Sequence, residues 1–130
     1  MTITARPATV FDAMTFAGGR AFLRRVLVWQ VRNGRAEVLE LDGEALALVM
    51  QHQARRRRVE VAIGFRPAAA RHMPRLIRLA QLTLERMRQD GVLAVVRVRV
   101  SDARARRLAR LAGFRETALG RGTIWTGKRA

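Results

Sequence analysis

Apolar and polar positions along this chain follow two rhythms, and the switches between them mark out short elements. Residues 3–7 read as extended, because Pro7 disfavours helix at the residue before it. Thr9 is placed to cap a short helix running to about Phe16, with Asp12 in its first turn where the helix dipole favours an anion. Gly18-Gly19 ends that helix. Residues 21–31 carry both rhythms. Val26 to Val31 is rich in β-formers, and Asn33-Gly34 is a strong two-residue hairpin signal. Phe22, Leu23, Val26, Leu27 and Gln30 also fit one helical stripe, but the hairpin signal tips the expectation to a strand.

Three strands are expected next: Ala36 to Leu41, Glu44 to His52 after a tight Asp42-Gly43 turn, and Val59 to Phe65. In the last of these Val59, Val61, Ile63 and Phe65 share one face at period two. A long helix follows, with Pro74 in its first turn, Leu76, Ala80, Leu84 and Met87 at core spacing, and Asp90-Gly91 as its stop. Val92 to Val100 is nearly all apolar apart from Arg97 and Arg99, as a central strand would be. Ser101 or Asp102 caps a second helix, Ala103 to about Ala112, ended by Gly113. Phe114 to Leu119 and Thr123 to Thr126 then form two strands around Gly120-Arg121-Gly122. The expected order is β-α-(β)-β-β-β-α-β-α-β-β, an α/β fold with a mixed sheet. The Val59–Phe65 and Val92–Val100 strands, joined by the long helix, should pair in parallel and splay apart at one end.

Composition narrows the picture. With 130 residues the chain is expected to form a single domain, 1–130, and 49% apolar residues argue against wholesale disorder. The absence of cysteine excludes disulfides, thiolate metal sites and a cysteine nucleophile. No apolar run approaches the roughly 18 residues that span a bilayer, and Met1 to Arg6 lacks the order of a signal peptide, so a cytoplasmic protein with no membrane role is expected. Charge is the unusual quantity. Twenty-six basic residues against ten acidic ones give +16, and Lys128 is the single lysine. Such an excess points to nucleic acid or another polyanion, or to an acidic protein surface. Arginine bias of a GC-rich genome would explain the choice of arginine but not the scarcity of acids.

Three stretches resemble the GNAT superfamily of acyl-CoA-dependent N-acyltransferases. The opening Ile3-Thr4-Ala5-Arg6-Pro7-Ala8-Thr9-Val10-Phe11-Asp12-Ala13 is similar to the family's first strand and helix entry. Glu40-Leu41-Asp42-Gly43-Glu44-Ala45-Leu46-Ala47 is similar to its β-hairpin, and Ser101 to Phe114 to its last helix with the closing Gly113-Phe114. The resemblance implies a GNAT-like fold, acetyl-CoA as cofactor and N-acetylation as the activity.

The positions that carry the family's chemistry depart from its pattern. The family holds the cofactor pyrophosphate on backbone N–H groups of a glycine-rich turn, whereas Arg66-Pro67-Ala68-Ala69-Ala70-Arg71-His72-Met73-Pro74 contains no glycine, and Pro74 lacks a donor. Arg66, Arg71, His72 and Arg75 are the cofactor-binding candidates that remain, supplying charge in place of amide dipoles. The tyrosine that serves the family as acid falls at Ala109, and the chain has no tyrosine. Glu60 is the only candidate base; its other reading is a surface carboxylate paired with Arg56 or Arg58. Asp102 reads as a helix cap. His52 and His72 are isolated in sequence, so no metal site is expected. Trp29 and Trp125 read as core or sheet-face residues, with Trp125 an alternative base-stacking residue beside Arg121, Lys128 and Arg129.

The nucleic-acid candidates are the Arg55, Arg56, Arg57, Arg58 run and Arg104, Arg107 and Arg110 along the last helix. Two functions follow. One is a degenerate GNAT-fold protein with no cofactor or weak acetyl-CoA binding. It would be a basic, nucleic-acid-associated structural component, by resemblance to small chains of bacteriophage gene sets, which would place it in a virion. The other is an active acyl-CoA-dependent N-acetyltransferase with an unassigned acceptor.

Overall fold

Thr9 and Asp12 start the first helix together. The Asp12 N–H donates to Thr9 Oγ1 at 3.2 Å, and the Thr9 N–H donates to Asp12 Oδ2 at 2.7 Å, a reciprocal cap that satisfies two orphan donors. Helix α1 then runs Val10–Ala17 after strand β1, Thr4–Pro7. The computed structural model describes residues 2–98, 101–118 and 123–127, with the side chains of 54, 117, 118 and 123–127 outside that description.

Residues 21–31, expected as a strand, form helix α2, Ala21–Asn33. Packing decides between the two rhythms. Helical spacing puts Leu27 into a core cluster with Ala13, Ala17, Val38 and Leu48, flanked by Leu23, Val28 and Val31. Burial of that stripe outweighs the weak strand preference of the valines. The Asn33-Gly34 pair is likewise a helix end rather than a hairpin, with the Gly34 N–H donating to Gln30 O at 2.8 Å. Glycine is needed there for room: a Cβ would stand 2.1 Å from Gln30 Nε2 and 3.0 Å from Gln51 O. The element order is therefore β-α-α-β-β-β-α-β-α-β-β.

Strand β2 (Arg35–Leu41) pairs antiparallel with β1 and with β3 (Glu44–Arg55). Their turn is Asp42-Gly43, with φ of +53° and +81°, the pair of positive values that a tight hairpin matching strand twist requires. The register slips between Leu39 and Glu40, leaving Leu46 as the extra residue. Strand β3 continues past His52 to Arg55, and β4 runs Arg58–Phe65. The four-arginine run is thus a hairpin tip with Arg56-Arg57 as its turn. On β4, Val59 and Val61 are half-buried, while Ile63 and Phe65 are 42% and 43% exposed.

A 3-10 turn, Pro67–His72, leads into α3, Met73–Gln89. Leu76 of α3 is buried, and Ala80, Leu84 and Met87 are half-buried, as the core spacing requires. Strand β5 (Leu93–Val98) pairs in parallel with β4 over Arg58–Glu60 against Leu93–Val95. This three-residue ladder agrees with strands that part at one end. Residues 99 and 100 lie outside the described residues. Asp102 caps α4 (Ala103–Ala112) by accepting from the Ala105 N–H at 2.9 Å. Strands β6 (Phe114–Ala118) and β7 (Thr123–Gly127) pair antiparallel, and β7 also pairs antiparallel with β5. Gly120-Arg121-Gly122 falls outside the described residues. The strand order is β1-β2-β3-β4-β5-β7-β6.

The chain divides into two compact units, Met1–His52 with Ala62–Arg71 and Gln53–Val61 with His72–Ala130. The core of the first is the Ala13, Ala17, Leu27, Val38, Leu48 cluster; in the second, Val98 and Ala109 pack with Val96, Ala105 and Phe114. Among the described residues, no helix is long and apolar enough to cross a membrane.

Candidate functional site

The segment after β4 is where anion-binding chemistry concentrates. From Val61 to Leu84 the chain contains no acidic residue and four arginines, 66, 71, 75 and 78. Arg66 opens it. Its backbone N–H donates to Leu46 O at 2.9 Å, opposite the register slip in β3. Its guanidinium donates to Thr15 O at 3.3 Å and lies 5.8 Å from the centre of the Phe16 ring. Arg66 therefore holds the end of α1 with the same group that would meet a phosphate.

The turn that follows is built of alanines. Ala69 is fully buried, and its N–H is spent on Arg66 O at 2.9 Å. Pro67 and Pro74 offer no N–H. The supply of backbone donors that a glycine-rich turn would aim at an anion is accordingly reduced. Arg71 is exposed, and His72 stands at the N-cap of α3 without a side-chain cap hydrogen bond. Arg75 lies exposed in the first turn of α3, where no acidic residue opposes the positive end of the helix dipole.

Glu60 lies in the short parallel ladder, opposite Val95. Its Oε1 accepts from Arg97 Nη2 at 3.1 Å, and its carboxylate is 32% exposed. The partner is thus Arg97 rather than Arg56 or Arg58. Parallel register places Arg97 two residues beyond Val95 and on the same face, a placement that only pairing between distant segments can create. Ala109, where the resemblance puts the proton-donating tyrosine, is 8% exposed and packed against Val98. No hydroxyl stands at that position.

The two histidines are in different units, and no group of three or more metal-ligating side chains occurs among the described residues. The His52 ring lies 6.0 Å from that of Trp29. Trp29 is not a core residue: it sits on the outer face of α2, 52% exposed. Trp125 pairs through β7 with Val96 and Glu116, its side chain lying outside the described residues.

Arg55, Arg56 and Arg57 are exposed at the β3–β4 tip, while Arg58 is half-buried at the start of β4. Arg104, Arg107 and Arg110 are exposed along α4. All seven belong to the second unit. Sequence reasoning missed a shallow groove between α1 and α2, because it expected a strand there. The signal was present in Phe22, Val26 and Trp29, whose i, i+4, i+7 spacing marks a second apolar helix face beside that of Leu23 and Leu27.

No family model matches the sequence, and no curated protein matches it. The fold, however, is shared with solved acetyltransferases. The ribosomal-protein-S18-alanine N-acetyltransferase of Escherichia coli is 19% identical, with a TM-score of 0.66 over 96% of this chain and 91% of its own. The PaiA N-acetyltransferase of Thermoplasma acidophilum, solved with coenzyme A, is 10% identical with a TM-score of 0.70 over 99% and 100%. An acetyltransferase of Bacillus subtilis, also solved with CoA, is 11% identical with a TM-score of 0.70 over 96% of each chain. TM-scores of 0.66 to 0.70 over nearly the whole of each chain show that the chain has the GNAT fold of the N-acetyltransferases.

Proposed function

We propose that this chain is an acyl-CoA-dependent N-acyltransferase that grips its cofactor by side-chain charge rather than by the amides of a glycine-rich turn. The observation that carries this reading is the acid-free stretch from Val61 to Leu84, with Arg71, His72 and Arg75 within five residues at the start of α3. It lies in a fold that structures solved with CoA share over nearly their whole length. Arg66 is engaged by Thr15 and Phe16. Arg71, His72 and Arg75, around the start of α3, are the residues that would hold the phosphates. The alanines of the turn keep bulk away from such a ligand. Acyl-CoA would supply the activated thioester carbonyl. The chain's own contribution is positioning, since Ala109 brings no proton donor and the Glu60 carboxylate is held by Arg97. Proton transfers then fall to solvent, and turnover should be slow.

Calorimetric titration with acetyl-CoA and CoA tests this. Binding should weaken steeply with added salt, because charge does the holding. Arg71→Ala should reduce affinity by about tenfold, the scale of one charge-assisted contact, and Arg104→Ala should not. Absence of binding at low salt, or equal effects of both variants, would overturn the reading.

A second activity is supported by its own observation. Six exposed arginines at the β3–β4 tip and along α4 suit a polyanion such as DNA or RNA, bound without sequence preference.

A further inference from the structure

The first unit carries a surface that neither the fold nor the acyl-CoA reading uses. A groove of about 500 Å³ lies between α1 and α2, lined by Val10, Met14, Val28 and Trp29 together with Arg24, Arg25 and Arg32. Its apolar lining is open to solvent, with Met14 45% and Trp29 52% exposed. Phe22 and Val26 extend the Trp29 stripe along α2 at 79% and 44% exposure, and Phe11 on α1 is 76% exposed. Isolated apolar residues on a surface need no explanation. Exposed apolar residues from two adjacent helices that line one groove point to an interaction site.

Charge selects the occupant. From Ala13 to Ala36 the chain contains five arginines and no acidic residue. The acids that flank this stretch are both paired, Asp12 with Arg6 and Glu37 with Arg35. The lining is therefore apolar and cationic with nothing anionic in it. A second copy would bring the same arginines against one another on a chain of net charge +16, and like charges across an interface cost several kcal/mol. A nucleic-acid backbone would satisfy the arginines but leave Val10, Met14 and Val28 wet. A bilayer is flat, whereas this lining is concave. An acidic amphipathic segment satisfies both requirements at once, its apolar side chains in the groove and its carboxylates on the guanidiniums.

We propose that the α1–α2 groove docks an acidic amphipathic helix of a partner protein, with Trp29 as its apolar anchor and Arg24, Arg25 and Arg32 as its charge partners. Aromatic and arginine side chains are the residues that most often carry binding energy at such surfaces. No groove residue belongs to the turn that would hold the cofactor.

The experiment uses the full chain and a fluorescein-labelled peptide four helical turns long, with Leu and Phe on one face and Glu on the other. Anisotropy should report saturable, micromolar binding. Trp29→Ala and the double change Arg25→Glu with Arg32→Glu should each weaken it at least tenfold, while Arg78→Glu on α3 leaves it unchanged. Circular dichroism and melting temperature should be preserved in all three variants, because the altered side chains are exposed. A scrambled peptide of the same composition binding equally well would overturn the proposal, as would equal losses from Arg78→Glu and the double change. Trp29-dependent binding of phosphatidylglycerol vesicles or single-stranded DNA in place of the peptide would overturn it too, as would self-association abolished by the double change.

Discussion

Arg6 and Asp12 face each other through two parallel hydrogen bonds, Nη1 to Oδ2 at 2.7 Å and Nη2 to Oδ1 at 2.8 Å. The same carboxylate closes the cap on Thr9, and the same guanidinium reaches Glu40 Oε1 at 2.9 Å on β2. One ion pair thus ties β1, the start of α1 and β2. Its geometry is the bidentate one that makes such pairs strong, and the Asp12 side chain is only 11% exposed.

That pair should make stability depend on acid pH. Hydrogen bonding to Arg6, and then to Thr9, outweighs burial and holds the Asp12 carboxyl well below its ordinary value of 3.8. A group whose pKa is lower in the folded state binds protons more readily when unfolded. Its contribution is therefore complete above about pH 5 and is lost as pH falls through 3.8 toward the folded value. Asp12→Ala should cost about 2–3 kcal/mol at neutral pH, through the lost cap and the stranded Arg6. Thermal melts from pH 6 to pH 2 should show the wild type converging on the variant, which loses less over that range. Parallel curves would contradict the assignment.

Gly34→Ala should destabilise by about 1–2 kcal/mol without backbone strain. The added methyl would displace the Gln30 amide, which donates to Gln51 O at 2.8 Å, and would press on that same carbonyl. Gly34 has φ of −115°, so the cost is steric rather than conformational. The companion change Gln30→Ala together with Gly34→Ala should be less than additive in a double-mutant cycle.

Glu60→Gln separates the two roles open to that residue. A partly exposed pair with Arg97 contributes roughly 0–1 kcal/mol, so denaturant midpoints should barely move. Amine acylation, measured as thiol release, should stay within about threefold of wild type, well short of the 100-fold or greater loss expected on removing a general base. A loss of that larger size would make Glu60 the base.

Polyanion binding predicts a slope. If about six phosphates are neutralised, log affinity for duplex DNA should fall against log salt with a slope near −5. Replacing Arg55, Arg56 and Arg57 with glutamine should make it shallower while the fold survives, since these side chains are exposed at a hairpin tip. No retention of DNA or RNA on filters at ~50 mM salt would remove this activity and leave the charge to a protein partner.

What the sequence determined by itself are the features that act within a few residues. Thr9 with Asp12, Asp42-Gly43, Asp102 and Gly113 each start or end an element through bonds or torsions inside one turn of chain, so their identity sufficed. The period-two pattern of Val59, Val61, Ile63 and Phe65 and the spacing of Leu76, Ala80 and Leu84 were legible for the same reason. Three family-like stretches in the right order then pointed to the fold. Tertiary structure decided the rest. Residues 21–31 satisfy both a strand and a helix pattern, and the packing of Leu27 beside Val38 and Leu48 selects the helix. That choice in turn turns Trp29 outward and creates the α1–α2 groove. Glu60 met Arg97, 37 positions away, because a parallel register aligned two strands joined by a long helix. Arg66 was drawn from the turn to Thr15 and Phe16 across 51 positions. Caps and turns are settled by local bonds, whereas partners across a sheet exist only after distant segments have been brought into register.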